Sequence, residues 1–219
     1  MPHITDKDRK LLKKEFEKLE RSVKLIFFTQ EFECQHCQLT RELLSELVEL
    51  SDKITLKNYD FVKDKPEVDK YGVDKIPAIV LQGEKDYGIR FYGVPAGYEF
   101  TTLIEDIIDV SRGRTDLTES TKETLRKLER PIHIQVFNTL TYPHCPRAVH
   151  MAHRMAIESE MVKGDMVEAA EFPQLSNRYF VSAVPKVVIN EEVDFEGALP
   201  ERSFLDKVME AEGLAKRNS

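Results

Sequence analysis

Two of the chain's three cysteines are spaced for redox chemistry. Cys34-Gln35-His36-Cys37 sets two thiols three residues apart. On a helix that spacing is close to one turn, so both sulfurs fall on one side. Thiol–disulfide exchange needs such a pair: one thiolate attacks a substrate disulfide and the second thiol resolves the mixed disulfide. Pro77, in Ile76-Pro77, follows Cys37 by 40 residues. The layout then recurs. Tyr142-Pro143-His144-Cys145 is followed, again 40 residues after its cysteine, by Val184-Pro185. Tyr71 and Tyr179 each stand six residues before their proline. The repeat, with a register of 108 residues at each landmark, predicts two tandem thiol–disulfide units. Only the first keeps both cysteines.

Cys34 is expected at or just before a helix start, where unpaired N–H groups and the helix dipole favour thiolate over thiol. Cys37, one turn on, is the resolving thiol. A charged His36 between them would stabilise the Cys34 thiolate further and make the disulfide more oxidising. The competing reading of the two cysteines is half a zinc site, but structural zinc takes four Cys or His ligands in spaced pairs, and no second pair exists. We therefore expect no metal and no cofactor beyond a Cys34–Cys37 disulfide. Pro77 and Pro185 fit permitted strand starts. Their repeated spacing favours a cis-proline whose preceding residue, Ile76 or Val184, exposes its backbone beside the cysteines.

These residues need elements to hold them. The apolar run Val23 to Thr29 reads as a buried strand, and Gln38 to Leu50, with leucines at 39, 43, 44 and 47, as a helix. Ile54 to Phe61 reads as a strand, Pro66 to Tyr71 as a short helix, Pro77 to Leu81 and Ile89 to Tyr92 as a hairpin, and Thr101 to Ser111 as a closing helix. A helix over Asp6 to Glu20 precedes them. The same order recurs from Ile132, with Cys145 opening a helix and a second hairpin four residues shorter. The fold class is α/β: two tandem units, each a central mixed sheet flanked by helices. We place the boundary near Arg112 to Thr115, giving units 1–114 and 115–219.

Composition agrees with this reading. The chain is 41% hydrophobic and 32% charged. No stretch approaches the roughly 18–20 apolar residues of a membrane span. The net charge of −7 disfavours a nucleic-acid surface, which needs clustered Lys and Arg. Residues 1–7 lack the apolar run of a signal peptide, so a cytoplasmic location is expected. High Glu and Lys with six Gln and five Asn lean towards a thermophile.

A CxxC at a helix start with Ile-Pro 40 residues later is similar to the thioredoxin/glutaredoxin superfamily. The tandem layout resembles the glutaredoxin-like protein disulfide oxidoreductases of archaea and thermophilic bacteria. The second half carries that likeness in Cys145-Pro146-Arg147-Ala148-Val149, Gly164 to Ala169 and Ala183-Val184-Pro185-Lys186. The resemblance implies two packed thioredoxin folds, cis-prolines at Pro77 and Pro185, and exchange with protein disulfides or thiols. It also implies electrons from a thioredoxin-reductase-type flavoprotein.

The chain departs from the family at Tyr142, where members place the attacking cysteine. A phenol cannot form a disulfide, so Tyr142, Cys145, Val184 and Pro185 make a degenerate second site. Its roles, in order of preference, are structural support, substrate binding around Pro185, and monothiol chemistry at Cys145. Thioredoxins often carry a buried acid in the first strand. Here that strand offers Phe27 and Phe28, Glu31 and Glu33 sit in the loop, and Asp60 is the alternative base. His144 repeats the place of His36, while His133, His150 and His153 read as packing or surface residues. Two rival roles remain: a dedicated electron carrier to a peroxidase, and a non-catalytic tandem chaperone.

Overall fold

The computed structural model describes residues 3–217, with side chains as far as residue 213 in the last helix. Met1 and Pro2 of the N-terminal stretch read above lie outside the described residues.

The first unit opens with α1 (Asp6–Phe16), whose start is capped by the Thr5 hydroxyl accepting from Asp8 N–H at 3.2 Å. It continues through β1 (Val23–Thr29), α2 (Cys37–Val48), β2 (Ile54–Asp60), α3 (Lys65–Tyr71), β3 (Ala78–Gln82), β4 (Asp86–Tyr92) and α4 (Glu99–Arg112). The second repeats that order as α5 (Glu119–Leu125), β5 (Ile132–Asn138), α6 (Cys145–Glu158), β6 (Val162–Glu168), α7 (Pro173–Arg178), β7 (Lys186–Ile189), β8 (Val193–Glu196) and α8 (Glu201–Arg217).

In each half a parallel pair, β1 with β2 or β5 with β6, is followed by an antiparallel hairpin strand on the other side of β1 or β5. The two sheets do not stay separate. β4 pairs in parallel with β6, from Ile89 opposite Gly164 to Tyr92 opposite Val167. The result is one eight-stranded mixed sheet in the order β2-β1-β3-β4-β6-β5-β7-β8. Joining the edges satisfies backbone groups that two isolated sheets would leave open to water.

Alternation along the strands divides the core between the two faces. Leu25, Phe27, Ile79, Leu81, Phe91, Ile134 and Val136 face the side covered by α1, α2, α4, α5, α6 and α8. Ile26, Phe28, Val80, Tyr92, Phe137 and Val188 face the other side, which the short helices α3 and α7 cover. The repeated tyrosines lie on that second face. Tyr71 packs edge-on against Phe28 and Tyr179 tilts against Phe137. Their hydroxyls bond Gln82 and Glu191.

The seam between the units also has a helical layer, where α4 packs on α6. Two of the histidines read as packing or surface residues pack there, each against carboxylates of α4. His153 Nδ1 meets Asp106 Oδ2 at 2.5 Å with both side chains fully buried. His150 meets Asp109 at 3.1 Å and Glu105 at 3.2 Å. Burial opposes the charge on His150, yet the three carboxylates around it outweigh burial and raise its pKa. His133, from β5, pairs with buried Asp165 of the neighbouring strand.

A close approach at the seam is Gly97, in the loop from β4 to α4. Its φ is +60°, and a Cβ there would lie 2.3 Å from the carbonyl oxygen of Leu140. Leu140 also accepts from Tyr98 N–H at 3.1 Å. Gly97→Ala should therefore cost about 2 kcal/mol or more, from the left-handed backbone and the overlap together. Urea unfolding of the variant measures it, and a change below about 0.5 kcal/mol would mean that the loop gives way freely.

Candidate active site

β1 ends at Thr29, and the loop from Gln30 to His36 carries the chain across to α2. Cys34 and Cys37 are joined by a disulfide, with their Cα atoms 5.4 Å apart. The expected helix start differs by one step. Helical structure begins at Cys37, and Gln35-His36 form a turn, so Cys34 stands three residues before the helix. His36 occupies the cap position, and its carbonyl accepts from the N–H and the hydroxyl of Thr40. No side chain caps the first turn, and no acidic residue sits in it. The free N–H groups and dipole of α2 are thus left to act on charge forming at the cysteines.

The two sulfurs are not equally reachable. Cys37 is 3% exposed, while Cys34 is half-buried at the rim. A substrate disulfide therefore meets Cys34 first. Beside it the Phe32 side chain is 72% exposed, which gives the rim an apolar contact. Glu33 is exposed and takes a left-handed backbone with φ 58°.

The Ile76-Pro77 peptide bond is cis, and so is Val184-Pro185. Pairing of β3 with β1 ends at Ala78, so Ile76 lies outside the ladder. The carbonyl of Pro77 is held by Gly93 N–H at 3.0 Å, as that of Pro185 is by Gly197 N–H at 2.8 Å.

Asp60, weighed as a base, is poorly placed for that work. Its Oδ1 accepts from the N–H groups of Val62 and Lys63. The Lys63 N–H bond leads the effects that hold its pKa below the usual range, so it stays ionised.

At the second site Cys145 opens α6 as its sequence suggested, and it is fully buried. Burial pushes its thiol up to about 11; the Thr139 N–H opposes this and the charge of Glu99 adds to it. A buried, protonated thiol is a poor nucleophile, which counts against monothiol chemistry there. Tyr142 is 42% exposed, with its ring 5.2 Å from that of His144.

Glu99 is a residue that reading the sequence missed. It begins α4 in the first unit yet lies against the second site, fully buried. Thr102 donates its hydroxyl to Oε2 at 2.8 Å, while Oε1 is buried without a well-formed hydrogen bond, the Asn138 amide lying near the carboxylate but off hydrogen-bond geometry. Burial lifts its pKa from 4.5 to about 7; the Thr102 hydroxyl, the Asn138 amide and the charge of His153 pull it back, and Asp106 adds to the rise. A sequence signal did exist. Glu99, Thr102 and Asp106 recur at three- and four-residue spacing on a helix rich in buried apolar residues.

Among the described residues, no three His, Cys, Asp or Glu side chains converge as a metal ion would require. Nor is any helix there long and apolar enough to cross a membrane.

Known proteins share both halves of this arrangement. The family model described as Thioredoxin domain matches twice, at residues 23–105 and 132–210. The F subunit of alkyl hydroperoxide reductase in Pseudomonas aeruginosa is 26% identical over 166 residues, 76% of this chain and 30% of that protein. The Staphylococcus aureus F subunit is 27% identical over 168 residues, 77% of this chain and 31% of that one. The chain thus spans about a third of the length of these curated relatives. Among solved structures, a protein disulfide oxidoreductase from Aeropyrum pernix superposes with a TM-score of 0.90 at 29% identity, covering 95% of this chain and 94% of that one. The Enterococcus faecalis F subunit superposes with a TM-score of 0.87 at 26% identity, covering 94% and 99%.

Proposed function

The chain belongs to the thioredoxin domain family, with two copies of the domain, and from that premise we propose that it is a protein disulfide oxidoreductase working through a Cys34/Cys37 dithiol–disulfide cycle. The observation that carries this is the Cys34–Cys37 disulfide at the start of α2, with its outer sulfur the more exposed.

In the reducing direction the Cys34 thiolate attacks one sulfur of a substrate disulfide. A mixed disulfide forms and the other substrate sulfur leaves as thiolate. Cys37 loses its proton and attacks Cys34 Sγ. The second substrate sulfur leaves, and the Cys34–Cys37 bond closes with two electrons transferred to the substrate. The backbone at Ile76, outside the ladder, and Pro77 shape the groove for the substrate chain. The natural partners of this chemistry are protein disulfides and thiols in the cytoplasm. A thioredoxin-reductase-type flavoprotein would return the pair to the dithiol.

A second reading has specific support. The similarity to the F subunit of alkyl hydroperoxide reductase favours a dedicated electron carrier to a peroxidase. A tandem chaperone without redox turnover would reduce nothing. Insulin reduction with dithiothreitol as donor separates these. Oxidoreductase activity precipitates the insulin B chain, and a chaperone leaves it in solution. A carrier dedicated to a peroxidase would reduce insulin poorly yet support NAD(P)H oxidation by peroxide once a flavoprotein and a peroxidase are supplied.

The second site takes no part in the cycle as written. Cys145→Ser should therefore leave insulin turnover within about twofold of the parent, since a buried protonated thiol neither attacks nor resolves. Loss of turnover in that variant would make Cys145 a relay between the units.

A further inference from the structure

The second unit sends acidic side chains to the Gly93-Val94 loop that holds the first unit's cis-proline. β6 ends at Glu168, and the loop that follows carries Glu171. Glu171 Oε1 accepts from Val94 N–H at 2.7 Å. Val94 follows Gly93, the residue whose N–H holds the carbonyl of Pro77. The fit is close: with φ +103° at Gly93, a Cβ there would lie 2.6 Å from Glu168 Cβ and 3.0 Å from Glu171 Oε1. Glu171 N–H donates in turn to Glu168 Oε2 at 2.7 Å. The second oxygen of Glu171, Oε2, is buried with no hydrogen-bond partner. His36, between the two cysteines, is near enough for its charge to favour the Glu171 anion.

We propose that Glu171 is a positioning residue for the Cys34–Cys37 site: it clamps the loop behind cis-Pro77 and, through its negative charge, sets the dithiol–disulfide equilibrium. The degenerate unit would thereby tune the cysteine pair whose counterpart it has lost. The proposal rests on the reading that Cys34–Cys37 cycles.

Charge balance gives the sign of the effect. Reduction of the pair by dithiothreitol breaks the Sγ–Sγ bond and delivers two electrons. It leaves a thiolate at Cys34 and a thiol at Cys37, while dithiothreitol closes to its cyclic disulfide and the other proton goes to solvent. An anion near the site disfavours the new thiolate and offsets the help that a charged His36 gives. Ionised Glu171 therefore favours the disulfide, and protonated Glu171 does not. Burial raises its pKa, with Glu168 adding to the rise; the Val94 N–H and the charge of His36 work the other way. The remaining charged groups around it line the cavity it shares: Asp74, Lys75, His133, Arg178 and Glu191.

The test is the equilibrium of the full chain with reduced and oxidised dithiothreitol, read by thiol alkylation and mass between pH 5 and 8. Glu171→Gln keeps an oxygen for the Val94 N–H and loses the charge. It should shift the pair towards the dithiol by about threefold at pH 7.5, close to 15 mV less negative for a two-electron couple. The difference should shrink as the pH falls and the parent's Glu171, its pKa raised by burial, takes up its proton. Glu171→Asp, which keeps the charge, should stay nearer the parent than the amide does, and it serves as the second variant should the amide not fold. An equilibrium unchanged in Glu171→Gln at every pH, or an aspartate variant shifted as far as the amide, would reduce Glu171 to a structural clamp. The readout uses a small dithiol and no protein substrate. A chain inert towards insulin would sink the functional reading and leave this result standing.

Discussion

Cys34→Ser should abolish insulin reduction, leaving only the uncatalysed rate of the dithiol donor. The substitution removes the sulfur of the half-buried residue at the rim, placed before the start of α2, which no side chain caps. A serine hydroxyl stays protonated at neutral pH and forms no disulfide, so neither half of the cycle remains. Cys37→Ser should behave differently. Its Cys34 thiolate still attacks, but nothing resolves the product, so mixed disulfides with substrate proteins accumulate and appear on a non-reducing gel. Folding should be little affected in Cys34→Ser, at the rim, whereas Cys37→Ser sets a hydroxyl at a buried position and should cost some stability. If Cys37→Ser were inert without mixed disulfides while Cys34→Ser trapped substrates, the two roles would be reversed.

Glu99→Gln should stabilise the protein in neutral and alkaline solution and change nothing in acid. The folded-state pKa of Glu99 is raised from 4.5 to about 7. Below about pH 4.5 the carboxyl is protonated in both states and burial costs little. Between the two values the folded chain binds more protons than the unfolded one, so stability falls as pH rises. Above about pH 7 both states are ionised and the full penalty stays. The interval corresponds to about 3 kcal/mol, a buried-charge cost that the neutral amide avoids while keeping an acceptor for Thr102. Urea unfolding at pH 4.5 and pH 8 should give curves that coincide for parent and variant at the lower pH and separate by about 2–3 kcal/mol at the higher. Equal differences at both pH values would show that Glu99 does not titrate in that window.

The parts of this molecule that were legible in the sequence are those fixed by residue identity. Cys34, Cys37, Pro77, Cys145 and Pro185 are each chemically hard to replace, so their spacing exposes the repeat directly. Strands such as Val23–Thr29 and the leucine-rich α2 follow from local pattern. The start of α2 was less visible, because Gln35 and His36 favour neither a turn nor a first helical turn strongly enough to decide between them. The pairing of β4 with β6 was not visible at all. It joins strands about 75 residues apart in the chain, and no local period encodes the partner of an edge strand. Glu171 was hidden for the same reason, and Glu99, whose polar stripe with Thr102 and Asp106 was visible, hid only its place: each lies towards the other unit, a relation created by the seam. The histidines at 150 and 153 read as packing or surface residues; they pack, and their carboxylate partners in α4 belong to the other half of the chain.

The central claim is that Cys34–Cys37 is a working redox pair, and its reduction potential in the full chain tests that most directly. Equilibration with defined dithiol and disulfide mixtures, followed by alkylation and mass analysis, gives the value without any assumed substrate. A working pair should show a single two-electron transition between about −270 and −120 mV, the span of known dithiol oxidoreductases. A potential below about −300 mV, where inert structural disulfides lie, would contradict it.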